Sequence, residues 1–207
     1  MVFSGIVEST GLVTSVTKKY DLYNLEIQTE VDFLDGLKPG ASVCVDGVCL
    51  TVTSLKENKL KFDVIVETLR TTTFNQIELN DLVNLERSIK FGDEIGGHIL
   101  SGHVSETIKV EEISKPENNY IISFKVSKEI MNYIFPKGYV AINGVSLTIS
   151  DVVQSNNTFK VYLIPETLHR TNWSTKVVGD LINIEIDYQT RNTVDTITRI
   201  TKEHIDA

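Results

Sequence analysis

Cysteine is scarce in this chain: Cys44 and Cys49 are the only two among 207 residues. Two thiols cannot staple a small fold, so a disulfide framework is excluded, and a reducing compartment would keep them as thiols. Positive charge is also short. Twenty Lys and Arg face 28 Asp and Glu, giving a net charge of −8 and a pI near 5.0. No basic cluster interrupts that field, which disfavours phosphate backbones, so no nucleic-acid partner is expected. No uncharged apolar run approaches the roughly 20 residues that span a bilayer, and "MVFSGIVEST" has neither a basic leader nor a long apolar stretch. The expected location is the cytoplasm, with no membrane contact. There is no G-x-G-x-x-G, phosphate loop or nucleophile elbow, which argues against nucleoside-triphosphate, Rossmann and α/β-hydrolase chemistry. Only four prolines interrupt the chain and 41% of its residues are hydrophobic, so a globular protein with a sizeable core is expected.

What the sequence does contain is repetition. "DGVCLTV" at 46–52 returns as "NGVSLTI" at 143–149, an offset of 143 − 46 = 97, and the same offset aligns "FSGIV" at 3–7 with "LSGHV" at 100–104. "VETLRTT" at 66–72 returns as "PETLHRT" at 165–171, and "NDLVNLE" at 80–86 as "GDLINIE" at 179–185, now at 165 − 66 = 99. Two residues have been gained, and the polar stretch "QSNNT" at 154–158 is the expected place. Four phrases in constant order mean a duplication of about 90 residues. Two copies are too few for a solenoid, so each is expected to close its own core.

Within each copy the strand signals dominate. Asp46-Gly47 and Asn143-Gly144 each sit between β-branched runs, a strong hairpin signature. "LKFDVIV", "FKVYLI", "LVNLE" and "LINIEI" read as further strands. Many short strands with polar turns predict an all-β fold, here two small Greek-key-like barrels. The joint is expected in "SIKFGDEIGG", 88–97. This divides the chain into residues 1–96, 97–188 and a tail, 189–207. In the tail Val194, Ile197, Ile200 and Ile205 fall near helical spacing, predicting an amphipathic helix that packs on its own barrel or joins subunits.

Several side chains have the chemistry of a site. Cys44 lies opposite Cys49 in the first hairpin, close enough for a bridge, but the second copy has Ala141 and Ser146 there. What the copies share is a small polar atom at Cys49 and Ser146, two residues before Thr51 and Thr148 on the same strand face. One such pair is ordinary strand surface; two in register predict paired pockets. His98 and His103 lie five apart, yet no Cys, Asp or Glu set nearby completes a tetrahedral site, and no metal is expected. His103 stands where the first copy has Ile6, and a titrating group in one pocket alone suits proton transfer near neutral pH; the plain alternative is a hydrogen-bonded structural histidine. Asp187 ends a strand, at a place where 187 − 99 gives Ser88, and such an Asp is usually a turn former. Lys137 precedes Gly138 in a loop, where a lysine is usually solvated.

Taken together, "FSGIVE", "VNLERS", "GDEIGGHILSGHV", "NGVSLTI" and "IPETLHRT" resemble the marks of the riboflavin synthase family of the α-subunit type, from about Val2 to Thr190. The resemblance implies two tandem six-stranded barrels and a C-terminal helix that joins a homotrimer. It also implies a dismutation in which two molecules of 6,7-dimethyl-8-ribityllumazine exchange a four-carbon unit, with no cofactor. An association with lumazine synthase belongs to the same picture. The second pocket would use Gly102, His103 and Val104, with Lys137 and with Ser146, Leu147 and Thr148. It would add the strand Tyr162, Leu163, Ile164, Pro165, Glu166 and Thr167, with Asp187 beside it. The first would use Gly5, Ile6 and Val7, then Ser42, and then Cys49, Leu50 and Thr51. Asp63, Val64, Ile65, Val66, Glu67 and Thr68 would complete it. Catalytic roles are expected for His103 with Thr148 at the 7-methyl protons, for Ser146 or Cys49, or water held by them, at C7, and for Asp187, which would orient or deprotonate the adding group. A non-catalytic lumazine- or flavin-binding antenna protein of the same fold is the alternative; a reductase barrel would need a nucleotide domain that is missing.

Overall fold

The computed structural model describes residues 2–117 and 119–205, Ile205 by its backbone only. Six strands close the first barrel: β1 (Ser9–Lys18), β2 (Leu22–Gln28), β3 (Ser42–Val45), β4 (Val48–Lys56), β5 (Lys59–Ile65) and β6 (Leu82–Arg87), in the order β1-β2-β5-β4-β3-β6. Their equivalents close the second in the same antiparallel order: β7 (Glu106–Ser114), β8 (Tyr120–Lys125), β9 (Tyr139–Ile142), β10 (Val145–Val153), β11 (Thr158–Leu163) and β12 (Leu181–Ile186). Short helices α1 (Val31–Leu34), α2 (Val66–Thr71), α3 (Lys128–Met131) and α4 (Pro165–Arg170) fill the connections, and α5 (Tyr188–Ile205) ends the chain. The repeat's two extra residues fall in the β10–β11 turn, as expected: the offset is 153 − 56 = 97 before it and 158 − 59 = 99 after.

Period-two alternation builds each core. In β5, Leu60, Phe62 and Val64 are fully buried while Lys61, Asp63 and Ile65 face outward. Trp173 fills the second barrel, edge-on to Phe124, where the first barrel has Phe74. Each of these rings lies in a 3₁₀ turn, Thr73–Gln76 or Asn172–Thr175, capped by a threonine hydroxyl that accepts from its N–H.

The barrels meet about a pseudo-twofold axis. The two hairpin tips touch there, so that a Cβ on Gly47 would come within 2.9 Å of Gly144 N. Asn84 Nδ2 donates to Asn143 O at 2.9 Å, and its equivalent Asn183 Nδ2 donates to Asp46 O at 2.8 Å. Asp46 is the one acid in this buried network. Burial pushes its carboxyl up to about 6, although Lys176 and the N–H donors of Asn84 and Asn172 act the other way.

The segments that precede the barrels are exchanged between them. Phe3 and Leu100 pair antiparallel through two 2.9 Å bonds at the axis. Glu86 of β6 accepts from Ser4 N and Gly5 N, and Glu185 of β12 accepts from Ser101 N and Gly102 N. From there each segment crosses over. Val7 is buried in the core of the second barrel, and Val104 packs on the core of the first.

The tail helix touches its own barrel near its start, where Arg191 donates to Ser105 Oγ and Tyr133 Oη donates to Asp195 Oδ1. Val194 is half-buried, whereas Ile197 and Ile200 are exposed; the Ile205 side chain lies outside the described residues. Among the described residues no helix is long and apolar enough to cross a membrane.

Candidate functional site

Each barrel has one seam where its strand ladder opens. Pairing of β4 with β5 stops at Val52↔Phe62, although β4 begins at Val48 and β5 runs to Ile65. Pairing of β10 with β11 stops at Ile149↔Val161, although β10 begins at Val145 and β11 runs to Leu163. Over the splayed stretch β4 pairs only with β3 and β10 only with β9. Odd residues of β4 turn their backbone groups toward the opening, since Val52 N donates the other way, to Ala41 O, while Cys49 N donates into it, to Gly102 O at 2.9 Å. The equivalent bond runs from Ser146 N to Gly5 O at 2.8 Å. Beyond that bond, the backbone of Thr51 and Thr148 lines the opening, and both side chains are exposed. A flat heterocycle with donors and acceptors along its edge is a natural complement to such a seam, as the missing strand would be.

The crossover corrects the sequence-based grouping of residues. Gly5, Ile6 and Val7 line the second seam with Ser146, not the first; Gly102, His103 and Val104 line the first with Cys49. Proximity in the repeat suggested the opposite, because each leading segment precedes the barrel it does not serve. The fit is close: a Cβ on Gly5 would lie 2.5 Å from Ser146 Cβ, and one on Gly102 would lie 2.6 Å from Cys49 Cβ, both at φ near +75°. The reading of a strand through Tyr162–Thr167 also needs correction. The strand ends at Leu163, and Pro165, Glu166 and Thr167 open α4, with proline in the first turn where its missing N–H costs nothing. Val66, Glu67 and Thr68 likewise open α2.

The two seams differ chemically. In the first, Ser42 lies across from Thr51 and hydrogen-bonds the half-buried Cys49 thiol. Burial raises that thiol above its ordinary value, so it is a neutral group and not a thiolate nucleophile at neutral pH. Cys44, its cross-strand neighbour, is buried, and the two cysteines form no disulfide. Ile65 is 57% exposed at the rim, and Asp63 accepts from Asn24 Nδ2 at 2.6 Å. Leu50 and Val64 turn their side chains into the core, as Leu147 and Leu163 do in the second barrel, which leaves only backbone for a ligand.

In the second seam an imidazole sits on the hydroxyl, and it is not the one singled out from the sequence. His98 Nδ1 lies 2.7 Å from Ser146 Oγ. Its ring is buried and stacks on Tyr139, with centroids 5.3 Å apart and planes 20° from parallel. Among the described residues its Nε2 has no hydrogen-bond partner. Burial lowers the His98 pKa, and the Asp187 carboxylate works against that shift, so the ring is neutral at pH 7 and able to take a proton. The signal that would have found it is the preceding Gly97, where a Cβ would lie 2.9 Å from Ser146 Oγ. His103, by contrast, is exposed beside the first seam and in this chain does not share a seam with Thr148. Asp187 acts as a turn former: its Oδ2 accepts from Thr190 N and Oγ1 at 2.8 and 2.7 Å, capping α5. Lys137 is exposed at φ +67°, in the turn that leads into β9. Tyr162 and Ile164 are exposed on the rim of the second seam, as is Ile6.

A space of about 450 Å³ opens between the barrels beside Asp46, Asn143 and Lys176, and one of about 430 Å³ lies under residues 88–96 against Ser4 and Ile6. The seams themselves are grooves on the outer wall. Among the described residues, no three His, Cys, Asp or Glu are grouped to hold a metal ion.

Comparisons with known proteins agree with this geometry. The family model described as the lumazine binding domain matches residues 4–88 and again 101–187. Riboflavin synthase from Escherichia coli (strain K12) is 45% identical over 199 residues, covering 96% of this chain and 92% of that one. Riboflavin synthase from Chlamydia pneumoniae is 48% identical over 198 residues, with 96% of each covered. Among solved structures, LumP complexed with riboflavin superimposes with a TM-score of 0.82 at 28% identity, over 89% of this chain and 99% of that one. LumP complexed with 6,7-dimethyl-8-(1′-D-ribityl) lumazine gives 0.81 at 26%, with the same coverage. Two matched copies of the domain, and relatives aligned across nearly its whole length, show that the chain belongs to the riboflavin synthase family of duplicated lumazine-binding proteins.

Proposed function

We propose that this protein catalyses the riboflavin synthase reaction, in which two molecules of 6,7-dimethyl-8-ribityllumazine yield riboflavin and 5-amino-6-ribitylaminouracil. The observation that carries this reading is the pair of equivalent open seams on one chain. A reaction with two identical reactants can use two related cradles, and holding both heterocycles in register can supply roughly 7–11 kcal/mol of the barrier. The pyrimidine edge pairs with strand backbone at Thr51 or Thr148, while hydroxyls meet the ribityl chain. The protein works in the cytoplasm.

The unlike seams have unlike tasks. At the second, neutral His98 accepts the Ser146 proton as that hydroxyl, or a water held by it, adds at C7 of one lumazine. Asp187 stabilises the imidazolium that forms. At the first, exposed His103 removes a 7-methyl proton from the other lumazine, whose ring delocalises the resulting charge. The family resemblance implies a complete site that joins the first seam of one chain to the second seam of a neighbour, which would bring His103 and Ser146 to one pair of substrates. The exposed Ile197 and Ile200 suit α5 to hold such subunits together, as in a homotrimer.

The test is to incubate the purified chain with 6,7-dimethyl-8-ribityllumazine alone, in a chelator and without added flavin, and to follow riboflavin fluorescence. Riboflavin and pyrimidine in equal amounts are the expected products. Tight binding with no riboflavin would identify an antenna protein and end the enzymatic reading.

A further inference from the structure

The assembly around His98 has a member with no assigned task. Among the described contacts the imidazole has one hydrogen bond, between Nδ1 and Ser146 Oγ at 2.7 Å, and its Nε2 has none. A single bond leaves a ring free to swing about it, yet a proton acceptor is useful only while its lone pair stays aimed at the donor. The aromatic ring that lies against it is Tyr139 on β9, stacked at 5.3 Å and 20°. Tyr139 is the cross-strand partner of Thr148 and is 51% exposed, so it belongs to the wall of the seam and not to the core. In the first barrel the same position is Ser42 (139 − 97 = 42), which bonds the Cys49 thiol directly. The repeat has therefore diverged at one matched position, from a hydroxyl that binds the thiol to an aromatic ring that braces an imidazole.

We infer that Tyr139 is a positioning residue of the second seam, whose ring fixes the His98 plane so that Nδ1 stays aimed at the Ser146 hydroxyl. Its action is through the ring face, so phenylalanine serves equally and an aliphatic side chain does not. The groups that bear on His98 are Ser146 from β10, Tyr139 from β9 and the Asp187 carboxylate after β12, and the variant changes only the second. The inference rests on the proposed reaction for its kinetic consequence, but not for its spectroscopic one.

The experiment compares Tyr139→Leu, Tyr139→Phe and the double variant Tyr139→Leu/His98→Gln with the parent. In Tyr139→Leu, kcat falls 10- to 100-fold, in line with a catalytic group displaced by about 1 Å, while KM stays within threefold. The acid limb of the rate profile moves up toward pH 6.5 as water reaches the imidazole. NMR titration of His98 in the ligand-free protein shows the same upward move. Tyr139→Phe restores all three, and Tyr139→Leu costs nothing further once His98 is Gln. The inference is overturned if Tyr139→Leu leaves the His98 titration unchanged, if only KM rises, or if Tyr139→Phe is as impaired as Tyr139→Leu. Should the parent make no riboflavin, the NMR comparison still decides the positioning role, because it needs no turnover.

Discussion

The two barrels are one design carried out twice, with the same strand order, the same opened ladder and the same exchanged leading segment, yet they hold different functional groups. At the first seam a serine supports a neutral thiol; at the second a tyrosine braces a buried imidazole on a serine. The comparison teaches that duplication supplied the matched cradles and that later change at a few matched positions, 42/139 and 49/146, made them unequal. Substrate pairing follows from the shared part and chemistry from the unshared part. Variants at equivalent positions separate the two.

The largest contrast lies at the polar atom itself. Ser146→Ala removes the hydroxyl on His98, and turnover should fall by about 10²–10⁴-fold with lumazine affinity changed only severalfold; equal losses in both would show a binding role instead. Next comes the axis, where Asp46 faces Asn143. A carboxyl that rises from 3.8 in the unfolded chain to about 6 when folded is held more easily protonated. Its contribution is therefore intact below pH 4 and lost as the pH climbs through 6, a cost of up to about 3 kcal/mol at neutral pH. Asp46→Asn keeps an oxygen for the Asn84 and Asn172 donors, so urea unfolding should show it more stable than the parent at pH 7 and equal to it near pH 4. Asn143→Asp should be less stable at pH 7.

Gly5→Ala and Gly102→Ala should each destabilise by about 1–3 kcal/mol, through the positive φ and the contact with Ser146 or Cys49. Nearly equal shifts in urea midpoint would support the symmetric exchange, whereas a shift from only one would show that one crossover is dispensable. Smallest of all, Cys49→Ser replaces a neutral thiol by a hydroxyl that Ser42 can still bond, and kcat should stay within about threefold of the parent. A loss as large as that of Ser146→Ala would mean that the first seam carries the nucleophile.

Much of the fold was legible because its signals are local. Alternation in "LKFDVIV" and the Asp-Gly and Asn-Gly turns depend on neighbouring residues, and the doubled phrases gave the duplication directly. Ser146 and Cys49 stood out for the same reason, as matched polar atoms on matched strands. The exchange of segments was not legible, because Gly5 O finds its donor at Ser146 N, and nothing near Gly5 in the chain marks which barrel it will serve. His98 drew attention only beside His103, as a weak metal-ligand candidate, because it lies just ahead of the repeated phrases and its partner is a serine 48 residues away. The strand read from "FKVYLI" overshot β11 by one residue, and its extension to Thr167 came with the family resemblance, whereas Pro165 already opens a helix.

Two cradles per chain underlie the proposed reaction, and counting bound lumazine measures them directly. Equilibrium dialysis of 6,7-dimethyl-8-ribityllumazine against the Ser146→Ala protein, slowed in turnover, should saturate at two molecules per chain, and adding Thr51→Trp to block the first seam should leave one. Saturation at one molecule per chain, unchanged by Thr51→Trp, would contradict it.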